Sequence, residues 1–177
     1  MRLSLLFALL FFGTSLQAQR FATREAHIAF LSETPIEDIR AESHEASAIF
    51  DAETGQLAFQ VPILSFHFPK ALMEEHFNEN YMETERYPKA TFRGQVMDLD
   101  LSAAGPQAVR ATGTLEMHGV AVERDITGSM ENTGAGWRIE AAFDVPCEDH
   151  DIAIPKVVSE NIAEVIGVTL NANLVAQ

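Results

Sequence analysis

Apolar side chains recur at every second position through much of the chain. Leu57, Phe59, Val61 and Ile63 alternate with Gln56, Ala58, Gln60 and Pro62. Val109, Ala111, Gly113, Leu115 and Met117 share one parity, and Arg110, Thr112, Thr114, Glu116 and His118 the other. Trp137, Ile139, Ala141, Phe143 and Val145 repeat the pattern, as do Ile166, Val168, Leu170, Ala172 and Leu174. A period of two sustained over such lengths predicts half-buried antiparallel strands. The Gly- and Pro-bearing stretches 51–55, 103–106 and 132–136 punctuate them as turns, and His118-Gly119 marks a further tight one. Eight strands result, over about 26–32, 36–50, 56–66, 89–101, 107–118, 120–131, 136–147 and 162–175.

One segment departs from period two. Leu72, Met73, Phe77 and Tyr81 fall at helical spacing, and Pro69 suits a first helical turn. The spacing predicts one amphipathic helix over about 69–81, between the third and fourth strands. A short helical turn follows Pro155. The fold class expected is therefore all-β: an eight-stranded antiparallel barrel with one inserted helix. Closure leaves no unpaired edge strand.

An eight-stranded barrel is either filled by its own side chains or holds one small ligand. Ala41, Ser43, Ser47, Ala111 and Gly113 put small residues on two inward faces, while the third, seventh and eighth strands supply large apolar ones. Small residues facing large ones fit an oily cavity and a dry interdigitated core equally well.

The first residues follow a different logic. Met1-Arg2 starts positive, Leu3 to Phe12 is almost wholly apolar, and Gly13 to Ala18 is small and polar. That order is a secretory signal peptide, with cleavage expected after Ala18. The apolar run is shorter than the roughly 20 residues a membrane span needs. Residues 19–177 are then expected as one barrel domain, periplasmic or secreted, without stable membrane insertion. The leader carries one Arg and no acid, so its loss makes the net charge of −14 one unit more negative. Such a surface repels phosphate backbones, which excludes nucleic acid as an expected partner. Cys147 is the only cysteine, so neither an internal disulfide nor a multi-Cys zinc site can form.

Two longer motifs carry a family resemblance. Phe77 to Phe92 reads Phe-Asn-Glu-Asn-Tyr-Met-Glu-Thr-Glu-Arg-Tyr-Pro-Lys-Ala-Thr-Phe. Ala111 to Val120 follows with Gly113, Leu115, Gly119 and Val120 in a Gly-x-Leu-x-x-x-Gly-Val pattern. Together these resemble the YceI-like family, and the ending from Ile152 to Lys156, with its alternating last strand, is similar to a secreted subgroup of it. The resemblance implies a lipocalin-like barrel holding a long polyisoprenoid chain. His76 matches the family's helix histidine, but Leu72-Met73-Glu74-Glu75-His76-Phe77 stands where many members carry Arg-Asp-x-His-Leu, without the basic residue.

The function expected is therefore binding of an apolar lipid, a polyisoprenoid or a prenyl quinone, by a carrier or storage protein. The expected lining comprises Phe59, Val61, Ile63, Phe92, Val109 and Leu115, with Met117, Ile139, Phe143, Val168 and Leu170. Ala111 and Gly113 are expected to leave room, such that Gly113→Phe fills the cavity with little loss of folding. Leu72, Met73 and Phe77 should close one end, with His76 at the mouth. Arg124 shares the parity of Val122 and Ile126 and is an inward candidate for an acidic head group. No cofactor or metal is expected, and a homodimer stays open. Two other readings remain: a filled barrel acting through protein contacts, and a hydrolase-type enzyme using the Cys147/His150 region. No nucleophile–base pair assembles by spacing, so the chain is not expected to be an enzyme.

Overall fold

The computed structural model describes residues 20–177; the expected leader lies outside them. Eight strands close in chain order into an antiparallel barrel: β1 (Arg20–Ser32), β2 (Ile39–Asp51), β3 (Gln56–Pro62), β4 (Lys89–Met97), β5 (Gln107–Met117), β6 (Val120–Asn132), β7 (Gly136–Pro146) and β8 (Val165–Ala176). β8 returns to pair with β1, so each strand has two neighbours. Among the described residues the one α-helix, α1 (Ala71–His76), continues as a π-turn through Phe77–Tyr81. It starts two residues after Pro69, with Lys70 as its N-cap, and the Glu74 carboxylate accepts from the Phe68 N–H.

Several strand ends differ from the sequence reading, each for a local reason. β1 begins at Arg20 rather than 26, because register shifts between Thr23 and Ile28 break the alternation there. β2 begins at Ile39, since the Thr34 hydroxyl accepts from the Ile36 and Glu37 N–H groups and holds 34–37 as a turn. β3 stops at Pro62, and Ile63–Ser65 winds into a 3-10 turn. β4 stops at Met97, where Asp98 turns left-handed at φ 64°.

The bulge in β1 and β2 also reverses an orientation. Ala41 and Ser43 point inward as expected, but Ala46, Ala48 and Phe50 are the buried residues beyond them, and Ser47 is not. The room beside these small residues is taken. Ser65 hydrogen-bonds Ser43 at 2.6 Å, and Phe66 is buried next to it in sequence.

The barrel has a plugged end and an open one. At the plugged end Trp137 stands edge-on to Phe50 and Phe21, at 5.5 and 6.4 Å between ring centroids. At the other end two seams interrupt the sheet. β2 and β3 pair only over Ser47–Phe50 and Leu57–Gln60, leaving the first half of β2 without β3. There the 65–68 strap takes over, with Glu42 and His67 exchanging backbone hydrogen bonds of 3.2 and 2.8 Å. β6 and β7 pair only over Gly128–Asn132 and Trp137–Ala141. That second seam is covered by the 3-10 turn Cys147–His150, packed on β6.

The two sequence motifs meet in space. Met117 pairs with Val120 around His118-Gly119, whose φ angles of 52° and 77° fit a two-residue hairpin of the mirror-image type. The Tyr87 ring lies 4.7 Å from the His118 ring, and a Cβ on Gly119 would come within 2.5 Å of it. Tyr87 thus requires the glycine, and the pair ties the residues after the helix to the β5–β6 hairpin.

Candidate binding cavity

Above the aromatic plug the interior is hollow. A smaller cavity of about 100 Å³ lies in the barrel's middle, and a larger one of about 430 Å³ fills the open end. Ile28, Val61, Ala90, Leu115 and Phe143 line both, so the two share a waist. The larger volume is within the range that holds small organic ligands, roughly 300–1,000 Å³. This excludes a wholly filled core.

The strands supply the walls because alternation sends every second side chain inward. Phe59, Phe92, Val109, Ala111, Ile139 and Leu170 line the middle cavity. Ile63, Met117 and Val168 line the upper one with Met73, His76 and Phe77 from the helical segment. Val61, Leu115 and Phe143 stand at the waist. Most of the lining expected from parity is thus brought together.

Three expected residues are not. Leu72 points to solvent, 61% exposed, because the helix stripe reaches the interior through Met73, Phe77 and Tyr81 instead. Gly113 leaves no open space: a Cβ there would lie 2.3 Å from the Arg93 carbonyl and 2.4 Å from Gly94 Cα on β4. It is a close-approach glycine between paired strands, and Gly113→Phe would break the sheet rather than fill a cavity. Arg124 lines neither cavity. Its guanidinium donates to Asp149 at 2.6 Å across the β6–β7 seam, so it serves the wall and not a head group.

Phe77 is the one lid residue the sequence reading named; its three aromatic partners were missed. Phe30 from β1, Phe66 and Phe68 from the strap, and Phe77 after α1 form one aromatic cluster. Phe77 lies 5.4 Å from Phe30, 5.9 Å from Phe66 and 5.1 Å from Phe68. Aromatic pairs at such spacings contribute about 0.5–1.5 kcal/mol each beyond area burial. All four line the upper cavity. Ile152, Ile154 and Ile162, from the segment between β7 and β8, line it as well. Phe66 and Phe68 flank His67 at a spacing of two, a signal hidden by ending the third strand at Phe66 and leaving Phe68 between strand and helix.

Polar groups are few and gathered at the upper cavity. His76, Tyr81 and Asn161 reach its wall, as does Glu37, which pairs with Lys70 Nζ at 2.5 Å. Burial pushes the Tyr81 hydroxyl above its ordinary value, so it remains a proton donor. Among the described residues no Lys or Arg lines either cavity.

The Cys147/His150 region is built for closure. His150 is fully buried, and its Nδ1 lies 3.2 Å from the Val120 carbonyl. A carbonyl only accepts, so Nδ1 carries the proton, and Nε2 is left without a partner among the described residues. Burial lowers the imidazole's affinity for a second proton. Burial, with Glu164 adding to it, pushes the Cys147 thiol up, which is the reverse of an activated nucleophile. His118 Nδ1 likewise donates to the His150 carbonyl, at 2.9 Å.

An antiparallel eight-stranded barrel with an oily, lidded interior places the chain in the lipocalin-like class of folds. The YceI-like domain matches residues 20–174, and the chain belongs to that family. Among solved structures it is similar to a polyisoprenoid binding domain from Saccharophagus degradans implicated in plant cell wall breakdown, at 15% identity and a TM-score of 0.76, over 91% of this chain and 100% of that one. BcnA of Burkholderia cenocepacia is similar at 15% identity and a TM-score of 0.71, over 86% and 96% of the two chains. The Campylobacter jejuni YCEI protein follows at 15% and 0.63, over 82% and 88%. No curated protein sequence matches the chain.

Proposed function

We propose that the protein binds a long apolar lipid inside the barrel, a polyisoprenoid or a prenyl quinone with an uncharged head, as a carrier or store. The observation that carries this reading is the 430 Å³ upper cavity, apolar in lining, continuing past a shared waist into the barrel's middle. Each CH₂ moved out of water contributes about 0.8 kcal/mol. An extended hydrocarbon can therefore bind tightly with few polar contacts. A pyrophosphate head would call for Arg or Lys. The absence of both from the described lining, beside His76, Tyr81 and Asn161, favours a hydroxyl or carbonyl head that exchanges one or two neutral hydrogen bonds. The polyisoprenoid binding domain among the structural relatives supports the hydrocarbon part of this reading. The periplasm or the cell exterior is the proposed location, on the pattern of the first 18 residues.

Native mass spectrometry of protein purified from its own host, followed by organic extraction, tests the proposal. A discrete mass increment and one recovered prenyl lipid per chain are expected. Recovery of no lipid, with failure to take up added polyprenol, would overturn it.

A further inference from the structure

The outer face of β1 and β2 carries a group of side chains that lipid binding does not use. His27 and His44 lie side by side where the register shifts, between the Ala26–Ala46 and Ile28–Ser43 pairs. Both project to the outside of the barrel, away from buried Ile28 and Ser43. Their rings stack at 4.5 Å between centroids, 22° from parallel. Glu42, diagonal to His27, meets its Nε2 at 3.1 Å. One ligand atom from each of the three lies within 4.8 Å of the others. His67 on the strap bridges Glu42 through the backbone, and its Nδ1 lies 3.8 Å from Glu74 instead.

From this geometry we infer a divalent transition-metal site, with His27, His44 and Glu42 as its protein ligands. A shared metal uses the lone pairs of both imidazoles and the carboxylate's charge together. Zn–N distances of about 2.0–2.1 Å around a tetrahedral ion require ligand atoms a little over 3 Å apart. From within 4.8 Å the three ligand atoms must draw closer, and because an imidazole lone pair lies in its ring plane, the stacked rings must also turn about their side-chain torsions to face one ion. Imidazole donors select Zn²⁺, Cu²⁺ or Ni²⁺ over Ca²⁺ and Mg²⁺, which take oxygen ligands. The position has a structural consequence. The register shifts between Ala26 and Ile28, so a metal here clasps the two strands beside their bulge. Ile28 and Phe30, the next inward residues of β1, line the cavity, so the clasp stiffens its wall.

The test is titration of the full chain with Zn²⁺ alone by isothermal calorimetry, repeated with His27→Ala, His44→Ala and the double variant. His27 and His44 lie on the outer face, and circular dichroism checks that each variant stays folded. One Zn²⁺ per chain is expected, with each single variant at least tenfold weaker and the double variant not binding at the site. Ca²⁺ should give no stoichiometric binding. The electron paramagnetic resonance spectrum of added Cu²⁺ should show coupling to two nitrogens, reduced in the single variants. Zn²⁺ should also raise the melting temperature with concentration, reversibly on chelation. Unchanged Zn²⁺ affinity in the double variant, which keeps four of the six histidines, would overturn the assignment, as would the absence of stoichiometric binding by the wild type.

Discussion

Ala90→Leu puts three extra carbons at the waist between the two cavities, because Ala90 lines both. Its neighbours there are Val61, its direct partner on β3, Leu115 on the adjoining strand β5, and Phe143 across the interior. In the unliganded protein the added carbons enter empty apolar space and leave water. Folding stability should therefore hold or rise. In the complex they occupy volume the lipid would otherwise fill, and about three methylene equivalents of ligand lose their place. At about 0.8 kcal/mol per CH₂ this weakens binding by roughly 2.4 kcal/mol, or about sixtyfold in Kd. The assay is competition of a prenyl alcohol against a fluorescent long-chain probe, read beside thermal unfolding without ligand. Leu72→Ala is the control, because Leu72 faces solvent and should leave Kd unchanged. An unchanged Kd for Ala90→Leu would place the lipid outside the waist. A loss of 1–3 kcal/mol in folding stability would show that the waist is already packed. Either result refutes the reasoning.

Three further outcomes are expected. Phe77→Ala removes the ring shared by three aromatic contacts, and should raise the lipid dissociation rate in stopped flow while costing about 2 kcal/mol of stability, less than a fully buried phenylalanine. Gly113→Ala should lower stability by about 1–3 kcal/mol in denaturant unfolding, because its Cβ meets the β4 backbone; unaltered stability would contradict that close approach. His150 gives a pH dependence of definite sign. Burial lowers its pKa in the folded state, so above its ordinary value of 6.5 the ring is neutral in both states and no stability is lost. Below 6.5 the unfolded chain takes up a proton that the folded one refuses, and stability falls with pH until the folded value is reached. His150→Gln keeps a donor for the Val120 carbonyl and should flatten that part of the unfolding profile between pH 7 and 5.

Strand alternation is a strong signal where strands are regular, and it made most of the barrel and most of its lining legible. Phe59, Val61, Leu115, Ile139 and Phe143 follow from parity alone. The failures lie where backbone geometry, not side-chain pattern, decides. Ser47 faces the wrong way because a bulge shifts β2 by one residue, and period two has no memory across a bulge. Gly113 looked like free volume, yet a missing side chain can mean a neighbouring backbone at close range. Arg124 does lie on the inward parity, but the partner that claims it, Asp149, is far along the chain, on a turn whose position only the second seam explains. The four-phenylalanine lid was hidden for a similar reason. Its members come from a strand, a strap and a helical segment, and no local window contains them all.

The central claim is that hydrocarbon occupies the interior below the phenylalanine lid. The most direct measurement is a set of isotope-filtered nuclear Overhauser contacts between a bound unlabelled prenyl alcohol and ¹³C-labelled methyls of the protein. Contacts to Val61, Leu115 and Ile152, with none to exposed Ile49 or Leu72, are the predicted result. Contacts confined to Ile49, Leu72 or other outer-face methyls would contradict it.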